Sequence, residues 1–499
     1  MSINIVICNV PGTLEYNPLS APAILKAAIV AAGFSCRTID FNIRLYNQYR
    51  HDRTQLSIMQ EWFINEKDHD SAAAQQLLAQ WADEVVELKP QFVGISVFTY
   101  QNRRSARLMA QAIKSRNRDI HITVGGQGLG AGGINGKLEY PEQLKNAGII
   151  DSYIKSEGER SIVELIQGNQ DYAGINSDQF QQIENLNELP YPDYSDYEFD
   201  LYEVKRLPIV GSRGCVRSCS FCDIHEHWRY RYRSGESIAE EMLTNWRLYG
   251  IKDFNFADSL INGALKEFKN FIRIIAQHNR ETTEKITWAG QFIVRNPSQL
   301  DDTYWQNIAD SGGYELAIGV ETGSDRVREH MNKRFTNADL DYTMEQCARY
   351  GITCRFLMIV GYPTETLEDH QATIDMLERY QPLAKKVITF VELGTTLAIL
   401  PGTPLHNQSN ELQLIVDDCF ENNWISSSNS ELTFRERLRR RQELITVCDK
   451  LGYFSADQIH SFHAAMVQDF EEKMPMLEDR IRVRQKVFQI RSAKQLTEI

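Results

Sequence analysis

The sequence is short of three things. No apolar run in its 499 residues reaches the length that a bilayer requires, which argues against a membrane-spanning helix. Positive charge is in deficit: 54 Lys and Arg stand against 67 Asp and Glu, a formal net charge of −13. Neutralising a phosphate backbone takes concentrated Lys and Arg, so general nucleic-acid binding is disfavoured. The one dense basic run, Arg435-Glu436-Arg437-Leu438-Arg439-Arg440-Arg441, is broken by Glu and Leu and reads as a solvated helix face. Cysteine is scarce, nine in all and mostly scattered, as expected of a protein in a reducing cytoplasm. The opening MSINIVICNVPG has neither a basic leader nor a small-residue cleavage site, and reads as a buried strand.

What is present is ordinary in bulk and unusual in one place. Hydrophobic residues make up 42% and charged residues 24%, as in globular proteins, and the length calls for two to four domains. Three of the nine cysteines fall in Gly211-Ser212-Arg213-Gly214-Cys215-Val216-Arg217-Ser218-Cys219-Ser220-Phe221-Cys222, spaced C-x3-C-x2-C. Such a cluster usually holds a metal. Three thiolates without a fourth can hold three corners of a [4Fe-4S] cluster and leave one iron open to another molecule. The competing reading is structural zinc, with His225 or His227 completing a Cys3His set.

"SRGCVRSCSFC" resembles the cluster motif of radical S-adenosylmethionine (SAM) enzymes, with the aromatic Phe221 before the third cysteine. The resemblance implies metal ligation by Cys215, Cys219 and Cys222. It also implies SAM chelated to the open iron, an electron donor such as flavodoxin or ferredoxin, and cleavage of SAM to a 5′-deoxyadenosyl radical.

The N-terminal third alternates strand and helix. Ile3–Val10, FSCRTIDFN, FVGISVFT, IHITVGG and a last short strand in IIDSYIK are separated by helical stretches. These include one capped by Ser20, with Pro22 in its first turn and Gly33 past its end, and another at 102–116. That alternation predicts a doubly wound parallel sheet with ligands at the strands' carboxyl ends. Gly126-x-Gly128-x-x-Ala131 superficially matches a dinucleotide fingerprint, but it comes late in the domain. The segment also resembles the cobalamin-binding domain that precedes many radical SAM enzymes. Ser96 follows one strand and Gly125-Gly126 the next, 28 residues between Ser96 and Gly125. By that resemblance Ser96, Gly125 and Gly126 bind cobalamin. The family's Asp-x-His-x-x-Gly motif is missing after the first strand, where Val10-Pro11-Gly12-Thr13-Leu14 stands, so no protein histidine on cobalt is implied. A sheet that kept the fold without the cofactor is the other reading.

Polar residues 171–205, with Pro190-Tyr191-Pro192, mark a linker. Beyond it, candidate strands at 207–212, 253–258, 286–292, 314–321, 354–361 and 387–393 predict a partial (β/α)6 barrel with functional residues at the strands' carboxyl ends. The resemblance places Asp258 at SAM's methionyl amine, Glu321 of AIGVETGS near the ribose, and Ile359 and Gly361 of FLMIVGYPTET at adenine. It sets Arg229, Arg231, Arg233 and Arg295 toward a carboxylate. Each has a plainer reading as cap, ion pair or turn. Cys347 and Cys354 read as packing cysteines.

From 406 the pattern reads as helical. Leu444, Val447, Cys448 and Leu451 share a face, and Ser455-x-x-Gln458 opens a helix with Ile459, Phe462, Met466, Phe470 and Met474 that Pro475 ends or kinks. The domains expected are 1–170 (cobalamin-binding-like), 171–205 (linker), 206–405 (radical SAM core) and 406–499 (helical). The function expected is a cobalamin-dependent methyltransferase acting on an unactivated carbon of a small molecule, lipid or peptide. The alternatives are a non-methylating radical SAM reaction, or a non-catalytic zinc or cobalamin protein.

Overall fold

The computed structural model describes residues 3–12, 17–65, 71–130, 139–155, 157–417, 420–454 and 470–486. They form two compact units: 1–209 with 240–255, and 210–239 with 256–499.

The first unit is built on five strands: β1 Ile5–Asn9, β2 Cys36–Asp40, β3 Phe92–Ser96, β4 His121–Gly125 and β5 Ser152–Ile154. All pair in parallel, in the order β2-β1-β3-β4-β5, the doubly wound sheet that the alternation predicted. Strand β1 is buried on both faces, as a central parallel strand must be. Its odd residues Ile5 and Ile7 join Ile29, Ile154, Ile162 and Leu165 on one side. Val6 and Cys8 join Trp62, Phe63, Trp81 and Val93 on the other. The helix Asn102–Arg116 matches its predicted span. The first helix, Ser20–Ala31, differs at its start: Leu19 is the cap and no side chain caps it, so Ser20 is the first helical residue.

Residues 193–203 pack on this unit rather than hanging free. Lys26 reaches Asp196 at 2.7 Å, Arg44 reaches Glu198 at 2.7 Å, and the Tyr202 hydroxyl donates to Asp40 at 2.8 Å. Three tyrosines, 194, 197 and 202, supply the packing; Tyr197 stands edge-on to Tyr194 and stacks on Tyr202.

The remaining strands are β6 Arg206–Ile209, the short β7 Ser212–Arg213 and β8 Arg231–Tyr232, β9 Asp253–Phe256, β10 Thr287–Phe292, β11 Gly313–Glu321, β12 Thr353–Met358, β13 Ile388–Glu392, β14 Leu414–Asp417 and β15 Phe420–Ser426. Six of them lie in one sheet in the order β13-β12-β11-β10-β9-β6, the strand set expected of a partial (β/α)6 barrel. Helices such as Leu265–Glu281 and Leu367–Arg379 alternate with them. Beneath the sheet, Phe256, Phe268, Phe271 and Trp288 pack edge to face. Cys347 and Cys354 are buried with their sulfurs 3.4 Å apart, packing residues as expected.

Three expectations for the C-terminal region change. An antiparallel hairpin, β14 with β15, precedes its helices. The basic run is not a solvated face. Arg435 and Arg439 are exposed, but Arg437, Arg440 and Arg441 are buried in the helix Phe434–Leu451 with Leu444, Ile445 and Cys448. Positions 437, 440, 441, 444 and 448 recur at helical spacing, so the core-facing stripe passes through the arginines. Third, of the end or kink expected at Pro475, the end does not occur: helical structure runs through it to 486 with one backbone donor fewer. Phe470 and Met474 pack on Phe434 and Leu477. Ala131, Ser455, Gln458, Ile459, Phe462 and Met466 lie outside the described residues.

Candidate functional site

The cysteine loop begins where β6 ends. Asp258, just beyond β9, fixes its first residues. One carboxylate oxygen accepts the Gly211 N–H at 2.8 Å and the other the Ser212 hydroxyl at 2.7 Å. The Gly211 carbonyl accepts the Arg233 N–H at 2.8 Å. Burial pushes the Asp258 carboxyl up to about 7, against the pull of these donors. Asp258 is thus engaged by the loop's own backbone and hydroxyl. Arg233 caps the same region through Val210 O and Ser237, and Arg231 lies over Trp228. Arg295 donates to the carbonyls of Asn262 and Gly263, and Arg229 is exposed.

The middle of the loop is pinned from the segment after the helix Asp325–His330, which sequence reasoning missed. Asn332, in the left-handed region at φ 58°, donates its amide to Ser218 O at 2.9 Å and Ser218 Oγ at 3.0 Å. Ser220 N–H reaches Met331 O, its hydroxyl meets the Tyr362 hydroxyl at 2.8 Å, and its carbonyl accepts Leu405 N–H at 2.7 Å. Phe221 packs against the apolar group that includes Met331, Tyr362 and Leu405. Asn332 carried a readable signal: it is one of the few residue types that tolerate φ > 0. Its contact with Ser218 spans 114 residues and left no trace in the sequence.

Cys219 is buried; Cys215 and Cys222 are half-buried. Burial raises all three thiols, Cys222 to about 11. Lys333 pulls the other way on Cys215 and Cys219. Burial opposes the Lys333 charge, but Glu321 and the two thiols outweigh it and hold the ammonium above its ordinary range. Lys333 Nζ lies 2.7 Å from the Glu321 carboxylate, both side chains about 90% buried. Among the described residues no three His, Cys, Asp or Glu side chains already converge as an ion site. The donor set nonetheless suits an iron–sulfur cluster: three soft ligands on one eight-residue loop, near enough to perturb one another's ionisation, with a buried cation beside them. His225 is exposed and His227 half-buried on the short helix Ile224–His227.

The three strand-end stretches meet the same neighbourhood. Strand β11 shifts register against β12 between Gly319 and Glu321, and Glu321 has φ 66°, a strained value for a non-glycine. Its carbonyl accepts the Ile359 N–H at 2.9 Å, joining two of the predicted stretches directly. Gly361, at φ 78°, follows. Ile359 packs against the same apolar group as Phe221.

Residues 209–377 match the family model described as the radical SAM superfamily. This segment is a radical SAM domain. Over 357 residues the chain is 24% identical to an uncharacterized methyltransferase of Pyrococcus horikoshii, covering 67% of this chain and 73% of that protein. The fold is similar to that of TsrM from Kitasatospora setae, a radical SAM methyltransferase solved with cobalamin and a [4Fe-4S] cluster. The TM-score is 0.55 at 18% identity, over 84% of this chain and 81% of that one. It is also similar to OxsB, a cobalamin-dependent SAM radical enzyme, with a TM-score of 0.61 at 16% identity over 82% and 61%. A radical SAM domain thus lies within a chain whose fold is similar to that of these cobalamin-dependent enzymes. No helix among the described residues is long and apolar enough to cross a membrane.

In the first unit, Ser96 and Gly125 are register partners at the carboxyl ends of β3 and β4. A Cβ on Gly125 would meet only ordinary contacts with Ile154. Gly126 is needed for a steric reason. It has φ 122°, and a Cβ there would come within 2.4 Å of Val97 O. Gly128 is equally tight against Thr99 O, and Gly12 against Gln101. The glycine loop is therefore explained by loop-on-loop packing, with or without a dinucleotide.

Proposed function

We propose that the protein is a cobalamin-dependent radical SAM methyltransferase acting on an unactivated carbon. The observation that carries this is the Cys215–Cys219–Cys222 loop, pinned at Ser212, Ser218 and Ser220 within a radical SAM domain. When bound, the cluster and SAM supply a carbon radical and cobalamin supplies a methyl carrier. The chain's own residues do the holding. Cys215, Cys219 and Cys222 would hold the cluster. Phe221 shields it. Glu321 offers its remaining acceptor capacity to the ribose. Ile359 and Gly361 present backbone to adenine. Asp258 orients the loop's entry through Gly211 and Ser212 and offers its remaining acceptor capacity to the methionyl amine. Ser96, Gly125 and Gly126 form the cobalamin edge, without a histidine on cobalt. The substrate is a small molecule, lipid or peptide, the electron donor a flavodoxin or ferredoxin, and the compartment the cytoplasm.

A second reading keeps the radical chemistry and drops methyl transfer, favoured by the likeness to OxsB, which is described as a radical enzyme and not as a methyltransferase. Anaerobically reconstituted protein supplied with SAM carrying a labelled methyl group separates the two. Label in product supports methyl transfer; deoxyadenosine without label transfer supports the second reading. Zinc with no SAM cleavage would return the chain to the scaffold class.

A further inference from the structure

The loop after β12 is shaped by charged groups far away in sequence. Arg437 is fully buried. Its guanidinium lies 3.7 Å from the centre of the Trp424 ring and donates to three backbone carbonyls: Leu432 at 2.7 Å, Trp424 at 3.0 Å and Asn422 at 2.6 Å. Its aliphatic stem fills the space beside Gly361: a Cβ at 361 would lie 2.3 Å from Arg437 Cδ. One turn on, Arg440 donates at 2.8 Å to one oxygen of Glu365, which is as buried as the arginine. The other Glu365 oxygen accepts the Gly361 N–H at 3.3 Å. Asn429 closes the arrangement with its amide on Pro363 O and Glu365 O. A buried ion pair is weak evidence for stability, and replacing both partners by apolar residues is often neutral. Its use is better sought in what it orients.

We infer that Arg440, Glu365 and Arg437 are positioning residues that fix the Gly361 backbone for the adenine of SAM, so that the C-terminal region sets SAM affinity without touching SAM. This rests on the proposed assignment of Ile359–Gly361 to adenine. The chain Arg440–Glu365–Gly361 N–H anchors one amide and so fixes the backbone around it, while the Arg437 stem leaves room for no side chain at 361. Losing one charge-assisted bond on a binding loop is worth about tenfold in affinity.

The test uses S-adenosylhomocysteine as probe, with the full-length, cluster-reconstituted protein. The double variant Glu365→Met/Arg440→Met removes the pair at near-constant volume. Its Kd should rise about tenfold while its melting temperature and iron content stay near those of the unmodified protein. A purely structural role predicts instead that preserved stability preserves affinity, and an unchanged Kd overturns the inference. Glu365→Gln, closest in shape, gives the same comparison if the double variant does not fold; an unchanged Kd there also overturns it. Ile359→Asp separates the two layers. If it weakens binding and the double variant does not, the inference alone fails. If Ile359→Asp also leaves binding intact, the adenine assignment fails with it.

Discussion

The two units shape their candidate sites by opposite means. At the carboxyl edge of the five-stranded sheet, Gly12, Gly126 and Gly128 let three loops press together through backbone. Around the cysteine loop, the work falls to buried charge: Asp258 on Gly211 and Ser212, Lys333 on Glu321, Arg440 on Glu365. A site made by absence of side chains is intolerant of any addition. A site made by buried charge is intolerant of unpairing.

The contrast breaks most sharply at Lys333. Lys333→Met strands the Glu321 carboxylate in a buried position and should cost about 3–5 kcal/mol in urea unfolding, with most of it recovered in Lys333→Met/Glu321→Leu. Next comes Gly126→Ala, where both the clash with Val97 O and φ 122° oppose the methyl group. About 2–4 kcal/mol should be lost, and no second substitution of a side chain should restore it, because the obstacle is backbone. Asn332→Ala removes two bonds to Ser218 from a left-handed residue and should cost about 1–2 kcal/mol, whereas Asn332→Gly keeps the backbone and should show the smaller loss.

The smallest effect is one of pH. Burial raises the Asp258 carboxyl to about 7 in the fold, above its ordinary 3.8. The native state then holds this proton where the unfolded chain has released it. The group's contribution to stability therefore falls as pH rises from about 4 to about 7, and stays lost above that. Urea midpoints at pH 5 and pH 8 should show Asp258→Asn gaining on the unmodified protein at the higher pH.

Much of this architecture was legible. Strand positions followed from short β-rich runs bounded by turn residues, and the cysteine spacing pointed to the site. What stayed hidden depends on partners distant in sequence. Arg437, Arg440 and Arg441 look like surface residues until Trp424, Glu365 and Gly394 O supply their partners. Residues 193–203 fall in the stretch read as a linker, and their contacts with Lys26 and Asp40 could not be read. Asp258 looks like a ligand-binding acid, and its position at a strand end was read correctly. That it also accepts from Gly211 and Ser212 could not be read.

The central claim is that the three-cysteine loop holds a [4Fe-4S] cluster that activates SAM. The direct measurement is iron and sulfide content with 5′-deoxyadenosine production after anaerobic reconstitution, for the unmodified protein and for Cys219→Ala. The account predicts one cluster per chain and deoxyadenosine on reduction. The variant should keep its fold and yield no deoxyadenosine. Bound zinc in place of iron, or a Cys219→Ala protein that still cleaves SAM, would contradict it.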